Sequence, residues 1–280
     1  MHQVVAGRFQ LIEQIGRGRT GTVWRARDRR RHRRTVAAKV LSRRGADEVL
    51  GFVREQTLRV AHPHVVAPHG WAADDGVVVL AMDLVRGGSL DQLLAAYGAL
   101  PQAYVAVLLD QVLQALDAVH RAGLVHRDVK PANLLLEPTG TGRPHLRLAD
   151  FGVAVETSRT RGAEAAGTDG YLAPDQAAGA PPDLRQDLFA AGMTAAELLT
   201  GRLPAAADDL PPGPLRPVLR ALVAAAPDQR PPSAAAALDL LRRTGVPEGA
   251  PWLRRPHPPD VPDRHPERRS GLGTWLPTWR

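Results

Sequence analysis

Residues 124–136, LVHRDVKPANLLL, set His126, Arg127, Asp128, Lys130 and Asn133 between two apolar runs. Such runs read as core strands, and a core rarely accepts four ionisable groups and an amide together. The residue types suggest chemistry. Asp128 has the character of a general base. Asn133, with one more carboxylate, offers hard oxygen ligands to a divalent cation. Lys130 is suited to holding a phosphate. A surface turn with incidental charges would explain the block if it stood alone. It does not: LRLADFG at 146–152 is a second apolar strand that delivers an acid, Asp150, at its end. Two strands that each present an acid suit a site that combines a metal and a base.

Two further patterns lie upstream. GRGRTGTV places Gly16, Gly18 and Gly21 in G-x-G-x-x-G spacing, followed by Val23. Such glycines let backbone approach phosphates closely. A dinucleotide fingerprint should open a helix, whereas VWRARD, which follows here, reads as a strand. The loop is therefore a β-hairpin flap, with a plain turn as the bland alternative. VAAKV puts Lys39 inside an apolar strand. A buried lysine needs a partner; the alternative is a side chain snorkelling from a strand edge. The following helix offers Glu48 and Glu55.

The elements that must position these groups come next. FQLIEQIG, GTVWRARD and TVAAKVL alternate as strands between Gly-rich or charged turns, and VVVLAM at 77–82 is a buried strand. DEVLGFVREQTLRV at 47–60 has helical spacing. From residue 89 the pattern is helical: SLDQLLAAYG, then AYVAVLLDQVLQALDAVHRAG, then blocks at 184–200 and 214–243. A β-rich front thus precedes an α-rich back, an α+β chain. Residues 245–280, rich in Pro and Arg without apolar periodicity, predict a disordered tail.

Composition narrows the function classes. The 280 residues are 44% hydrophobic, enough for a sizeable core, and contain no cysteine, which excludes disulfides and thiolate metal sites. Net charge is +7, but much of the arginine is concentrated in RARDRRRHRR and the tail. That basic run lacks the interleaved aromatics of a nucleic-acid surface, so no nucleic-acid partner is expected. No apolar stretch has membrane-span length and no signal peptide is visible. A soluble, cytoplasmic chain is the expectation.

In order and spacing these motifs resemble the eukaryotic-type (Hanks-type) serine/threonine protein kinases that bacteria carry, over roughly residues 7–244. The resemblance implies a two-lobed fold within residues 1–244: an N-lobe at about 7–82 with one αC helix, a hinge at 83–87, and a helical C-lobe at 88–244. It implies transfer of phosphate from ATP to protein Ser/Thr hydroxyls, with magnesium, or manganese in its stead. Ile15, Gly16, Gly18, Gly21 and Val23 of the flap, Ala37, Lys39, Met82 and the hinge residues Asp83 and Val85 would bind ATP, Lys39 meeting the α and β phosphates with Glu55 as its partner. Asp128 would orient the substrate hydroxyl and Lys130 stabilise the moving phosphate; Lys130 with Thr168 marks Ser/Thr specificity. Asn133 and Asp150 would hold the metal. Gly167-Thr168 and Ala173-Pro174 would end the activation segment. Asp187 would anchor the catalytic loop and Arg230 pair with Asp175. Arg127, before the catalytic Asp, implies trans-autophosphorylation at Thr160, Thr157 or Ser158.

The chain departs from that pattern in places. Asp175 stands where Glu is usual, Thr20 tips the flap, and the spacing from Glu55 to His62-Pro63 is about two residues short. The rival readings are a pseudokinase scaffold, which would be expected to lose Lys39, Asp128, Asn133 or Asp150, and a small-molecule kinase, which would lack the full flap and the Gly-Thr…Ala-Pro segment. In the tail, Trp275 and Trp279 suggest a docking peptide.

Overall fold

The structure, a computed structural model, describes residues 3–18, 21–30, 34–41, 60–74, 77–150, 155–156, 167–205 and 209–266. Six strands open the fold: β1 (Val4–Val5), β2 (Phe9–Gly18), β3 (Gly21–Asp28), β4 (Arg34–Leu41), β5 (Gly70–Asp74) and β6 (Val77–Met82). They form an antiparallel sheet in the order β1-β2-β3-β4-β6-β5. Alternation along each strand sorts the side chains onto two faces. Val36 and Ala38 of β4 join Phe9, Leu11, Ala26, Val79 and Ala81 in one apolar cluster. Ala37, Lys39 and Leu41 therefore point to the other face, toward the cleft. β5, GWAAD, carries no strand signal; it is a strand because it pairs along β6.

At the open end of the β2–β3 hairpin, Arg8 forks onto Asp28, with Nε to Oδ1 at 2.9 Å and Nη2 to Oδ2 at 2.6 Å. Asp28 is fully buried, so this bidentate pair satisfies a charge that would otherwise be costly.

The second lobe is built on helices α1 (Leu90–Tyr97), α2 (Gln102–Arg121), α3 (Pro174–Ala177), α4 (Leu184–Thr200), α5 (Arg216–Leu222) and α6 (Ala234–Thr244). α2 is buried nearly all round, the signature of a core helix. Its buried amide Gln111 donates to Pro144 O at 2.8 Å and accepts from Leu146 N at 2.7 Å, fixing the strand that leads to Asp150. α4 starts on Asp183, whose side chain accepts from Arg185 N, and stops at Gly201 in the left-handed region.

The two apolar flanks of the 124–136 block are both strands, but they belong to different sheets. β7 (Leu124–Val125) pairs with β10 (Val155–Glu156), and β8 (Leu134–Leu136) pairs with β9 (Leu146–Leu148).

The expected disordered tail needs correcting for residues 245–266, which lie against the C-lobe. Trp252 is 1% exposed, stacks edge-on against Tyr104 with ring centroids 5.0 Å apart, and donates to Thr141 O at 3.0 Å. Arg143 donates to the carbonyls of Pro247 at 2.5 Å and Glu248 at 3.2 Å. The Pro-rich composition leaves only a short 3-10 turn, Pro251–Arg254, but does not prevent packing, and the buried indole in that turn anchors the segment. Trp275 and Trp279 lie outside the described residues. Among the described residues, no helix is long and apolar enough to cross a membrane.

Candidate active site

A cleft of about 1000 Å³ separates the lobes, and most of the site residues foreseen from sequence that lie in the described part meet there: Ile15, Gly16, Gly18, Gly21, Val23, Ala37, Lys39, Met82, Asp83, Val85, Asp128, Lys130, Asn133, Asp150 and Thr168 line it, whereas Arg127, Asp175, Asp187 and Arg230 do not. Glu55, with its helix, and Thr157, Ser158 and Thr160 lie outside the described residues.

The loop at 126–133 is held from below by one carboxylate. Asp187, fully buried on α4, accepts from His126 N at 2.8 Å, from Arg127 N at 2.7 Å and from His120 Nε2 at 2.9 Å. Burial alone would raise its pKa. The hydrogen bond and charge of His120, with the backbone N–H of His126, outweigh that and hold it below the usual carboxylate range. The two N–H bonds clamp Arg127 at φ +67°, a left-handed conformation that a non-glycine residue adopts only under constraint. This twist turns the following residue, Asp128, up into the cleft.

His126 ties this loop to the strand that carries the second acid. Its Nε2–H donates to Ala149 O at 3.1 Å, and its Nδ1 accepts from Asp128 N at 3.4 Å. That pattern needs the neutral ring, and burial pushes its pKa down. Ala149 N in turn donates to Asn133 O at 2.9 Å, so Asn133 and Asp150 are set side by side. Asp150 also sits at a positive φ, +65°.

Above the loop, Asp128 gathers three donors. Lys130 Nζ lies 2.9 Å from Oδ2, the Thr168 hydroxyl donates to Oδ1 at 2.8 Å, and Asn133 Nδ2 donates to Oδ2 at 2.8 Å and to the Asp128 carbonyl at 2.7 Å. Lys130 also donates to Thr168 Oγ1 at 2.5 Å. The carboxylate is thus aimed into the cleft by three donors. Both hydrogens of the Asn133 amide are used on Asp128, which leaves its oxygen as the atom available to a cation.

Across the cleft, β4 presents Lys39, paired in register with Val23 and Leu80. It is 7% exposed, and its Nζ lies 2.5 Å from Asp150 Oδ1. Among the described residues Asp150 therefore supplies the counter-charge that a buried lysine requires. The apolar floor between these groups is Val66, Val85 and Ala149, with Met82 and Leu135 packed on it. The Val85 N–H in this wall has no partner among the described residues.

Asp175 and Arg230 pair as foreseen, and the shorter acid reaches: Arg230 Nη2 lies 2.7 Å from Asp175 Oδ1. The arginine is fixed first by the carbonyls of Ala224 at 2.7 Å and Ala225 at 2.9 Å and by the ring of Phe189. Arg127 is buried, which lowers its guanidinium pKa against the opposing charge of Asp187.

Sequence reasoning passed over His120 and His126 as anchors. Their signal was present, since a histidine spaced among apolar core positions must have a buried partner. It also passed over Glu13, Gln92, Arg264 and His265, which line the cleft from stretches without a motif.

The protein kinase domain family matches residues 9–212. The chain is 40% identical over 218 residues to the serine/threonine-protein kinase PkaA of Streptomyces coelicolor, covering 71% of this chain and 40% of that protein. It is 41% identical over 217 residues to PkaB of the same organism, covering 73% and 51%. It is 36% identical over 212 residues to PknD of Mycobacterium tuberculosis, covering 73% and 31%. The chain thus spans about a third to a half of the length of these relatives. Sheet, hinge, clamped catalytic loop and paired acids agree with that match, and the chain belongs to the protein kinase family.

Proposed function

We propose that this chain is a serine/threonine protein kinase: it transfers the γ-phosphate of ATP to Ser and Thr hydroxyls of proteins. The observation that carries the reading is the Asp128 carboxylate, aimed by Lys130, Thr168 and Asn133 into the same cleft as the Lys39–Asp150 pair.

The residues fit a nucleotide with a divalent cation. The apolar floor and the Val85 N–H suit an adenine edge. Among the described residues nothing crowds a Cβ added at Gly18, and at Gly16 the nearest atom is Val23 Cβ at 3.6 Å. The fold does not itself require glycine there, which supports a close approach by phosphate. Asn133 and Asp150 are two hard ligands, the number magnesium takes when phosphate oxygens and water complete its shell. Manganese fits the same donors. When bound, the metal-nucleotide supplies the phosphoryl group and neutralises the charge that builds on it.

The chain's own residues do the rest. Lys39 draws the phosphates toward the β-sheet and holds Asp150. Asp128 accepts a hydrogen bond from the substrate hydroxyl, orients it in line and takes its proton late. Lys130, held beside Asp128, meets the negative charge of the transferring group. Thr168 fixes both, which supports Ser/Thr over Tyr specificity. We also infer trans-autophosphorylation: a phosphate on Thr160, Thr157 or Ser158 would bring an anion to Arg127, whose charge burial disfavours. The need for ATP supports a cytoplasmic site of action.

The test is the purified chain with magnesium-ATP and a generic protein substrate, read by mass spectrometry. Asp128→Asn should cut transfer by at least ~10²-fold, the scale of a positioned base, while ATP binding persists. Turnover near wild type in that variant would overturn the assignment.

A further inference from the structure

The family match ends at residue 212, yet the chain returns to the cleft well beyond it. Val261 and Gly140 exchange two backbone hydrogen bonds of 3.0 Å. Asp260 N donates to the Tyr97 hydroxyl at 3.2 Å. Asp263 pairs with Arg86 at 3.2 Å, and Arg264 N donates to the Arg86 carbonyl at 2.8 Å. One residue on, His265 Nδ1 lies 3.2 Å from Glu13 Oε1 on β2. Residues 260–265 therefore cross the hinge from one lobe to the other.

Two glycines at the hinge end make room for this crossing. A Cβ on Gly87 would meet Val261 Cγ1 at 2.5 Å, and one on Gly88 would meet Arg264 Nε at 2.7 Å. Gly88 also has φ +89°. The hinge is shaped to receive the segment.

Arg264 and His265 stand in the cleft wall with Gly88, Ser89, Asp91 and Gln92. Arg264 is tied to Arg86 and Gly87 at the hinge, where a base would sit, and His265 to Glu13 on β2, the strand that leads into the flap, where phosphates would sit. The group of a nucleotide that spans that interval is the sugar. Arg264 Nε donates to the Gly87 carbonyl at 3.2 Å, and its two Nη atoms have no partner among the described residues.

We propose that Arg264 is a ribose-contacting residue, donating from Nη to the sugar hydroxyls, and that residues 260–265 are the outer wall that holds it there. The proposal rests on the ATP-binding reading above.

Calorimetric titration of the full chain with ATP and with 2′,3′-dideoxy-ATP tests it, alongside the melting temperature without nucleotide. Arg264→Ala should weaken ATP about tenfold, the usual worth of one hydrogen bond from a charged group. Dideoxy-ATP should bind this variant nearly as it binds wild type, Arg264→Lys should recover part of the loss, and melting should stay near wild type. Unchanged ATP affinity in Arg264→Ala overturns the proposal, as does equal weakening of both nucleotides, which would reduce the segment to a tether. A wild type that binds neither nucleotide overturns the ATP reading itself, and this proposal with it.

Discussion

Two lengths of chain border the cleft, and they are held by opposite means. The catalytic loop hangs on one buried carboxylate, Asp187, which takes three donors at once. The C-terminal segment is held by many contacts along its length, most of them at the surface, plus one buried indole. Inside the protein, an unpaired polar group is costly enough that the network is complete or it fails. At the surface each contact contributes little, so a segment held that way can loosen by degrees. Buried charge serves where a side chain must be held in one position, as Asp128 is. Distributed contacts serve where a wall is enough.

The first way to break this contrast is at its buried end. Asp187→Ala leaves two backbone N–H groups and His120 without their acceptor. It should cost about 3–5 kcal/mol of stability, the scale for removing one partner of a buried charge network, and release Arg127 from its left-handed conformation. Chemical denaturation measures the first effect. A loss of only a few tenths of a kcal/mol would mean that the loop does not depend on this anchor.

Next comes the largest buried anchor of the segment. Trp252→Ala should cost about 3 kcal/mol, as for a large aromatic removed from a core. The loss should be local: amide exchange should speed up at residues 246–261 and in the 138–144 loop, and stay unchanged at 124–136. Faster exchange in the catalytic loop would show that the two regions are not separately held.

The smallest effect is a pH slope. His126 is buried neutral, with its pKa lowered by desolvation. Below the unfolded pKa, near 6.5, the unfolded chain takes up a proton that the folded ring refuses. Stability therefore falls as pH drops from 7 toward the folded pKa, by at most about 1.4 kcal/mol per pH unit for one proton. His62 and His64 are shifted in the same direction by burial and add to the slope. Asp187 acts lower: its depressed pKa gives stability that is present above the ordinary carboxylate range and lost as pH falls through its folded value. His126→Gln should flatten the slope between pH 7 and 5 by one histidine's share, measured by denaturation at stepped pH. An unaltered slope would mean that the ring is charged in the fold.

The same contrast explains what could be read in advance. The catalytic loop is contiguous, and its polar residues interrupt apolar runs, so the anomaly is visible in thirteen letters of sequence. Lys39 is visible for the same reason, as a charge that breaks an alternating strand. The pairing of Asp175 with Arg230 followed from the family pattern even with a shorter acid, because the arginine is fixed by carbonyls that any sequence supplies. The C-terminal segment was illegible. Trp252 finds its receptor on Tyr104, and Val261 pairs with Gly140, at separations no local pattern encodes. β5 was illegible too, since Gly, Trp, two Ala and Asp make a strand only when β6 is there to pair with.

The contact between Glu13 and His265 joins residues 252 apart in the chain. A ribosome adds about 5–20 residues per second, so the partner of Glu13 is made roughly 10–50 seconds after it. The flap, the lysine strand and the catalytic loop can all be assembled in that interval. In a newborn chain the cleft has its chemistry before it has its outer wall, and that wall is the last part of the site to arrive.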